Sequence, residues 1–410
     1  MEEFLNPEFF EWVDVVAEKI EKFEGEKITV VHHNDADGIC SAAILKGLCG
    51  HLGYKVELIC IEKVHPAIVE RIHDKREGDV IIYTDLGGLV ADVIDKINAG
   101  RNYVFIIDHH PAKAIQSDYV FVLDPELAGI SGDIFVSAST LNYLCCRAIM
   151  GEKCKYAYLA VVGSVGDYHD RSGGVLGLDR FALEEALDMG QAKVKIEESK
   201  ERYYIPFFDD YADVIANYLT NLGAIGYENK GYKLGVKACL EGFDSEALEE
   251  AKRLEELKHR KFAEAIDYLK SGGLNKEKYC QWFHLYDFFS PMGVKAVGEF
   301  CQVIKDMTFV DEDKYLIGFQ NLPKIVPDLG EIDWNAVKMS GRVPTPLERK
   351  VLKGEIPGLE YLIPKASEVV GGFADATHRI AAATIIDKGR EKEFIAAFER
   401  LVEEYEKARD

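Results

Sequence analysis

The chain has 410 residues, of which 48% are hydrophobic and 29% are charged, and this is typical of a folded protein of about two domains. Its formal net charge of −22 argues against broad, non-specific binding of duplex DNA through a basic face, but it leaves room for a cleft that grips a few phosphates. The longest apolar runs are of strand length, so we expect no membrane-spanning segment and no membrane partner.

The nine cysteines lie mostly in apolar segments, and no CxxC pair occurs. A structural zinc site or a disulfide framework is therefore not predicted. The N-terminus carries Glu2 and Glu3 instead of the basic residues of a secretory signal. We expect a cytoplasmic protein.

The first half of the chain alternates short, β-branched strands with helices. After an amphipathic helix that begins at Asn6 and Pro7, the predicted strands are 28–32, 55–61, 80–84, 103–107 and 120–123. The predicted helices are 39–52, 66–74, 89–98, 134–149 and 157–165. This pattern indicates a parallel sheet with helices on both faces. In such sheets, ligands bind beyond the carboxyl ends of the strands.

The second half of the chain has a different pattern of charged and apolar residues. Charged segments at 193–202, 211–222 and 245–269 have helical spacing, and strands at 281–288, 314–319 and 334–339 then mix with helices at 293–304 and 390–407. We expect an α/β protein in three parts: a parallel-sheet domain with its N-terminal helix (1–186), a helical connector (187–275) and a smaller mixed α/β domain (276–410).

Acidic and histidine residues follow buried segments at four places. They are His33, Asp35 and Asp37 after the first strand, Asp85 after the third, Asp108, His109 and His110 after the fourth, and Asp167 after an apolar segment of small residues. Aspartates that cap turns would explain any one of these places. One crevice that collects so many carboxylates, however, needs cations to neutralise it.

The charge balance indicates two divalent metal ions. The carboxylates of Asp35, Asp37, Asp85 and Asp167 supply four negative charges, while histidines supply neutral nitrogen ligands. This mixed set suits Mn²⁺, with Mg²⁺, Co²⁺ or Zn²⁺ as alternatives. Two such ions about 3.5–4 Å apart form the usual clamp for in-line phosphoryl displacement. The sequence leaves open whether His169 supports this site or belongs to a surface loop.

The motifs His-x-Asp-x-Asp-Gly, an isolated Asp, Asp-His-His and Gly-x-x-Gly-Asp occur in an order that resembles the DHH phosphoesterase superfamily. That superfamily includes RecJ-type exonucleases, oligoribonucleases, cyclic-dinucleotide phosphodiesterases and family II inorganic pyrophosphatases. The resemblance implies that His33 and Asp35 bind one metal, that Asp37, His109 and Asp167 bind the other, and that Asp85 bridges both. It further implies that Asp108 orients the histidine pair and that His110 contacts the scissile phosphate or assists the leaving group.

The segment 371–383 resembles the GGGH-type motif of the DHHA1 domain, which follows the catalytic domain in this superfamily. The resemblance implies a substrate-binding set made of Ser340, Arg342, Gly371, Gly372, His378 and Arg379. Exposed backbone N–H groups and basic side chains would bind phosphate there. A glycine turn with a chance histidine is the alternative. Four residues, 373–376, separate the glycine pair from Thr377, whereas the common motif is compact.

These features favour an exonuclease that degrades single-stranded DNA or RNA through activation of water by two metals. Residues 342–344 and 371–375 resemble the corresponding segments of archaeal RecJ-like nucleases, in particular the DHH nuclease domain of Hef-associated nuclease. That likeness implies 3′→5′ polarity, a homotrimer and a DNA-repair helicase or nuclease as partner. A RecJ-like 5′→3′ exonuclease, a hydrolase of short oligonucleotides, cyclic dinucleotides or pyrophosphate, and an inactive scaffold remain alternatives. The lysine-rich motif of the pyrophosphatases is not found, and retention of every expected ligand argues against the scaffold.

Overall fold

The computed structural model describes residues 7–23 and 27–408, without the side chains of 373–376, so the predicted cap at Asn6 lies outside the described residues. The chain divides into two compact units. The first consists of Met1–Leu254 and Pro327–Gly330, and the second of Glu255–Val326 and Glu331–Asp410. The division into a catalytic domain, a connector and a substrate-binding domain stays a prediction.

The first unit begins with alternating strands and helices. In chain order these are α1 (Pro7–Glu21), β1 (Lys27–His32), α2 (Ala36–Leu52), β2 (Lys55–Cys60), α3 (Pro66–His73), β3 (Val80–Thr84), α4 (Ala91–Asn98), β4 (Tyr103–Ile107) and β5 (Val120–Leu123). The five strands form a parallel sheet in the order β2-β1-β3-β4-β5. Parallel neighbours need a crossover between them, and the helices supply it.

Both faces of this sheet are buried, which is why the strands are apolar at nearly every position. Val30, Ile82 and Phe105 contribute to one core. The alternating residues point to the opposite face. There Tyr83 donates a hydrogen bond to Nε2 of His73 in α3 (3.0 Å), and Nδ1 of His73 lies 3.1 Å from Oδ1 of Asn98 in α4. Helices α3 and α4 therefore cover the second face.

The rest of the first unit is mainly helical. It contains α5 (Ala138–Met150), α6 (Ala157–Gly166), α7 (Gly177–Asp188), β6 (Lys193–Glu197), β7 (Lys200–Ile205), β8 (Asp210–Tyr211), α8 (Ala212–Thr220), α9 (Tyr232–Glu241) and the start of α10 (Ser245–Tyr268). Helices α5 and α6 pack on α2 and on each other. Because α6 is apolar and built of small residues, it can be buried almost completely.

The helix predicted at 193–202 is wrong, because these residues form the antiparallel hairpin of β6 and β7. Val194 and Ile196 alternate with charged residues, which is a strand pattern. The turn residues Glu198 and Ser199 both have positive φ (49° and 69°), as a two-residue hairpin turn requires. Neither is the glycine or asparagine that usually marks such a turn, so the local sequence resembles a charged helix.

The second unit contains the end of α10 and a mixed sheet. Its further elements are β9 (Asn275–Lys276), β10 (Cys280–His284), α11 (Lys295–Ile304), β11 (Tyr315–Asn321), β12 (Ile325–Val326), β13 (Gly330–Glu331), β14 (Ala336–Arg342), α12 (Thr345–Leu352), α13 (Leu359–Val369), β15 (Phe373–Thr377), β16 (Ala381–Asp387) and α14 (Glu391–Lys407), with β13 starting in the part assigned to the first unit. The sheet order is β15-β16-β14-β11-β10-β9, and only β10 and β11 run parallel among these pairs.

The predicted fold class is confirmed: a parallel α/β sheet in the N-terminal part and a mixed α/β sheet in the C-terminal part. Among the described residues, every helix is too short or too polar to cross a lipid bilayer.

The buried His73 gives a test of this packing. Burial lowers its pKa from 6.5 to about 4, so the folded protein keeps the ring neutral where the unfolded chain binds a proton. The stability that depends on the neutral ring is present above pH 6.5 and is lost as the pH falls towards about 4. Acidification from pH 7 to pH 5 should therefore cost about 2 kcal/mol at this site.

We expect His73→Gln to lose less stability than the wild type over that range, as measured by urea unfolding of the metal-free protein at both pH values. His51→Gln, at an exposed position near the end of α2, is the control and should keep the wild-type acid dependence. An unchanged acid dependence in His73→Gln would show that another group causes it.

Candidate metal centre

The polar residues that follow three neighbouring strands meet at one edge of the parallel sheet. The last residues of these strands are in register: His32 lies beside Thr84, and Thr84 beside Ile107. The residues that come next in the chain therefore emerge side by side. This register brings the loops of His33 and Asp85 next to the Asp108 loop.

A first group of ligands consists of His33, Asp35 and Asp85, whose ligand atoms lie close enough to share a metal ion. Nδ1 of His33 is 2.8 Å from Oδ2 of Asp35 and 3.4 Å from Oδ2 of Asp85. Asp35 is also the N-cap of α2, where it accepts a hydrogen bond from the backbone of Gly38 (3.1 Å). A side chain at Gly38 would place its Cβ 2.5 Å from the carbonyl oxygen of His33, so this turn requires glycine.

A second group consists of Asp37, Asp85, His109 and Asp167. Nε2 of His109 lies 3.2 Å from Oδ2 of Asp167, 3.4 Å from Oδ1 of Asp85 and 4.0 Å from Oδ2 of Asp37. On the other side of the ring, Nδ1 of His109 donates to the carbonyl oxygen of Gly132 (3.0 Å). That bond fixes the tautomer and leaves the lone pair of Nε2 facing the carboxylates, which is the usual arrangement of a metal-binding histidine.

Asp85 belongs to both groups. Neither of its buried carboxylate oxygens, nor the buried Nε2 of His109, has a hydrogen-bond partner among the described residues. Such orphaned atoms are costly unless a cation satisfies them. Asp85 also has a positive φ of 61°, a strained conformation for a residue other than glycine. The donor set therefore fits two divalent ions that share one carboxylate.

The Asp37 carboxylate is held by the N-terminus of α5. Its oxygens accept hydrogen bonds from the backbone N–H groups of Ala138 (2.7 Å) and Ser139 (2.9 Å). The positive end of the helix dipole favours a negative charge there. Helix α6 must also come very close, because a Cβ at Gly163 would lie 2.3 Å from Oδ1 of Asp37 and 2.1 Å from Oγ of Ser139.

The ionisation of this cluster reflects its crowding. Burial raises the pKa of Asp37 well above its usual range, and the negative charges of Asp167 and Asp85 raise it further. Burial and then the charge of Asp35 raise the pKa of Asp85. Burial lowers the pKa of His109, but its contacts with Asp167 and Asp85 outweigh burial and raise it well above the usual value. Without cations, the cluster therefore holds protons.

Asp108 lies beside the two groups and holds His110. Its Oδ1 accepts from Nδ1 of His110 (2.8 Å) and from the backbone of His109 (2.8 Å), and its Oδ2 accepts from the backbone of Gly88 (2.9 Å). Burial raises the pKa of Asp108, but the charge and hydrogen bond of His110 lower it more, and the net pKa lies below the usual value. The half-buried His110 ring is thereby oriented as the sequence motif implies.

Asp124 is a buried acid that the sequence interpretation missed. It follows β5 directly, so the rule that site residues come after strands would have found it. Its Oδ1 accepts from the backbone of Glu126 (3.0 Å), whereas its Oδ2 has no hydrogen-bond partner among the described residues. Burial and then the charge of Asp108 raise the pKa of Asp124 to about 9, so this carboxyl is neutral at physiological pH.

The predicted substrate residues of the second unit fall into two places. Ser340 and Arg342 lie on one face of β14 towards α11, where a Cβ at Gly298 would be 3.2 Å from Oγ of Ser340 and 3.4 Å from Nη2 of Arg342. Arg342 pairs with Ala381 at the start of β16, so the turn that contains His378 lies at the same end of the sheet.

The glycine pair lies at the other end of β15. Gly371 and Gly372 end α13, and the backbone N–H of Gly372 donates to the carbonyl of Ser367 (2.7 Å). Arg379 is also engaged, since its Nη2 donates to the carbonyl of Val351 near the end of α12 (2.7 Å). The structure therefore does not bring Gly371 and Gly372 together with His378, and Arg379 has a helix-capping contact.

The close approach of α6 to Asp37 predicts that Gly163→Ala will disturb the second ligand group. The added methyl must displace Asp37 or Ser139, so we expect Mn²⁺ affinity measured by titration calorimetry to fall about tenfold or more. Gly50→Ala in α2 is the matched control, because its Cβ would meet nothing within 4 Å. That control should keep metal binding and gain up to about 1 kcal/mol of stability. Equal Mn²⁺ affinity in both variants would contradict the geometry.

Comparison with known proteins identifies the family of the N-terminal domain. Residues 27–163 match the model of the DHH family, N-terminal domain. Over 223 residues the chain is 26% identical to an uncharacterized protein of Methanocaldococcus jannaschii, a match that covers 53% of this chain and 49% of the relative, so it spans about half the length of that curated protein.

Solved structures agree with this match. A crystal structure of exonuclease RecJ bound to manganese has a TM-score of 0.60 at 17% identity, with 95% of this chain and 94% of that chain covered. The DHH domain of a member of a family of ribosomal proteins has a TM-score of 0.63 at 14% identity, with 97% and 91% covered. At such identities the likeness shows the fold alone. Residues 27–163 are therefore a DHH N-terminal domain, as the motifs in this part of the chain predict, and the fold is similar to that of RecJ.

Proposed function

We propose that this chain is a metal-dependent phosphodiesterase that removes nucleotides from the 3′ end of single-stranded DNA or RNA, with Mn²⁺ as its preferred ion. The observation that carries the proposal is the pair of ligand groups joined by Asp85 at the carboxyl edge of the parallel sheet. The DHH N-terminal domain at residues 27–163 supports a phosphoesterase, and the manganese bound to the RecJ neighbour supports the choice of ion.

His33 and Asp35 would hold one ion together with Asp85, and Asp37, His109 and Asp167 would hold the other with the same Asp85. When bound, such a pair of ions supplies Lewis acidity for the attack of water on phosphorus and for the departure of the leaving oxygen. The nitrogen ligands favour Mn²⁺ over Mg²⁺, because Mg²⁺ is bound mainly by oxygen.

His110 would act directly on the substrate. Asp108 accepts a hydrogen bond from Nδ1 of His110, which leaves Nε2 for other partners, and the His110 side chain is half-buried. Burial lowers the pKa of His110 and the Asp108 carboxylate raises it, with a net increase. In its protonated form, His110 can donate to a phosphate oxygen or to the leaving oxygen.

The second unit carries a candidate phosphate-binding face of its own. Lys338, Ser340 and Arg342 occupy alternating positions of β14 and so share one face of the strand. Amines, hydroxyls and guanidinium groups bind phosphate oxygens. We include this face and His378 in the proposed substrate-binding surface. Arg379 then contributes through its contact with the end of α12, whereas Gly371 and Gly372 form the turn at the other end of β15.

The central role of Asp85 is tested by Asp85→Asn. Asparagine tolerates the positive φ at this position, so the fold should be kept while the shared negative charge is lost. We expect hydrolysis to fall by about a thousandfold, the equivalent of several kcal/mol of transition-state stabilisation. Asp209→Asn is the matched control, because Asp209 is exposed and also has positive φ (57°). Rates close to wild type in Asp85→Asn would refute the assignment.

The substrate is tested by parallel assays on end-labelled single-stranded DNA and RNA, dinucleotides, cyclic dinucleotides and pyrophosphate, with Mn²⁺ or with excess EDTA. A ladder of shortening products from 5′-labelled strands, seen only with metal, is the expected result. Immediate release of the 5′-terminal nucleotide would show that degradation runs in the 5′→3′ direction. Hydrolysis of pyrophosphate or dinucleotides alone would show that the protein is a small-molecule phosphohydrolase and not a nuclease. Full activity in EDTA would exclude a metal-dependent reaction.

A further inference from the structure

A third histidine, His169, approaches the second ligand group. Its side chain is buried, with 3% of its surface exposed. A ring nitrogen of His169 forms, with His109 and Asp167, a further group whose ligand atoms lie within 4.8 Å of one another. The rings of His109 and His169 are 5.8 Å apart. His169 is thus placed beside the ion that Asp37, His109 and Asp167 would hold.

A strained backbone turn at Tyr168 places His169 beside the second ligand group. Helix α6 ends at Gly166, and Tyr168 has a φ of 62°, in the left-handed region. The turn is closed by a hydrogen bond from the backbone of His169 to the carbonyl of Ser164 (3.0 Å). As a result Asp167 and His169 both point inwards, while Tyr168 is 74% exposed. Strain of this kind at an aromatic residue is tolerated where the surroundings demand it, and it is concentrated at functional sites.

Asp179 fixes the orientation of the His169 ring. Its Oδ2 lies 2.6 Å from Nδ1 of His169, and its Oδ1 accepts from the backbone of Ser137 (2.9 Å) and from Oγ1 of Thr140 (2.6 Å). Asp179 is fully buried and held by the same turn of α5 that holds Asp37. Since Nδ1–H donates to the carboxylate, the nitrogen that remains for a metal is Nε2, with its lone pair.

We propose that His169 is a metal-binding residue, oriented by Asp179, which adds a second imidazole nitrogen to the ion held by Asp37, His109 and Asp167. A histidine that gives one nitrogen to a carboxylate and the other to a metal is a recurrent arrangement. The second nitrogen increases the preference of this position for Mn²⁺ over Mg²⁺. This inference rests on the metal centre of the proposed function and is independent of which phosphoester the protein hydrolyses.

The test is His169→Asn. The asparagine amide can replace Nδ1 as donor to Asp179, but it has no atom in the place of Nε2. We expect titration calorimetry to show about a tenfold or larger loss of Mn²⁺ affinity at one of two sites, with a smaller loss for Mg²⁺. The melting temperature of the metal-free protein in EDTA should stay near the wild-type value. His51→Asn, at an exposed position of α2, should change neither quantity.

Wild-type Mn²⁺ affinity and Mn²⁺/Mg²⁺ selectivity in His169→Asn would overturn the proposal, since His169 would then serve only to satisfy Asp179. If His169→Asn melts early, Thr140→Val decides the point. That variant removes one hydrogen bond to Asp179 and keeps the imidazole, so Mn²⁺ affinity should fall only slightly. A loss of affinity as large as in His169→Asn would show that both variants lose affinity because the fold is disturbed. A wild-type protein that binds two ions yet hydrolyses no phosphoester would contradict the proposed function and leave this inference standing.

Discussion

Burial of several carboxylates at one edge of the parallel sheet is the constraint on which the rest of the first unit depends. Asp37, Asp85 and Asp167 face one another and His109 within a few ångströms, as the contacts of 3.2–4.0 Å around Nε2 of His109 show. In a medium of low dielectric constant, such charges repel strongly unless protons or cations offset them. The pKa values of Asp37 and Asp85 are raised, which means that these carboxylates bind protons more readily when cations are absent. Metal binding must displace those protons, so metal affinity and pH are coupled.

Much of the surrounding structure compensates this charge or holds its ligands in place. The N-terminus of α5 does both, because its backbone N–H groups bind Asp37 while its Ser137 and Thr140 bind Asp179. Small residues in α6 allow the helices to approach closely enough for this. The fixed carboxylates and imidazoles are therefore preorganised, which limits the reorganisation that a metal ion or a transition state would require.

In the second unit, the residues of the predicted phosphate-binding motif do not lie together. In the sequence, a glycine pair separated by five residues from a histidine resembles a single phosphate-binding motif. In three dimensions Gly371 and Gly372 end one helix, whereas His378 lies at the opposite end of a strand, near Arg342. The face of β14 that carries Ser340 and Arg342 is consequently the better candidate for phosphate contact than the glycine turn.

The sequence by itself determined the parallel sheet and the chemical character of its carboxyl edge. Strands such as Val80–Thr84 are almost entirely apolar and are followed at once by an acid, and both features are local. The tertiary structure alone showed which ligand atoms lie close together, because that depends on the register between strands distant in sequence. It also decided that Asp124 is a neutral acid, that 193–202 is a hairpin and that Asp179 turns His169 towards the metal site. These outcomes depend on burial and on partners far along the chain, which local propensity does not encode.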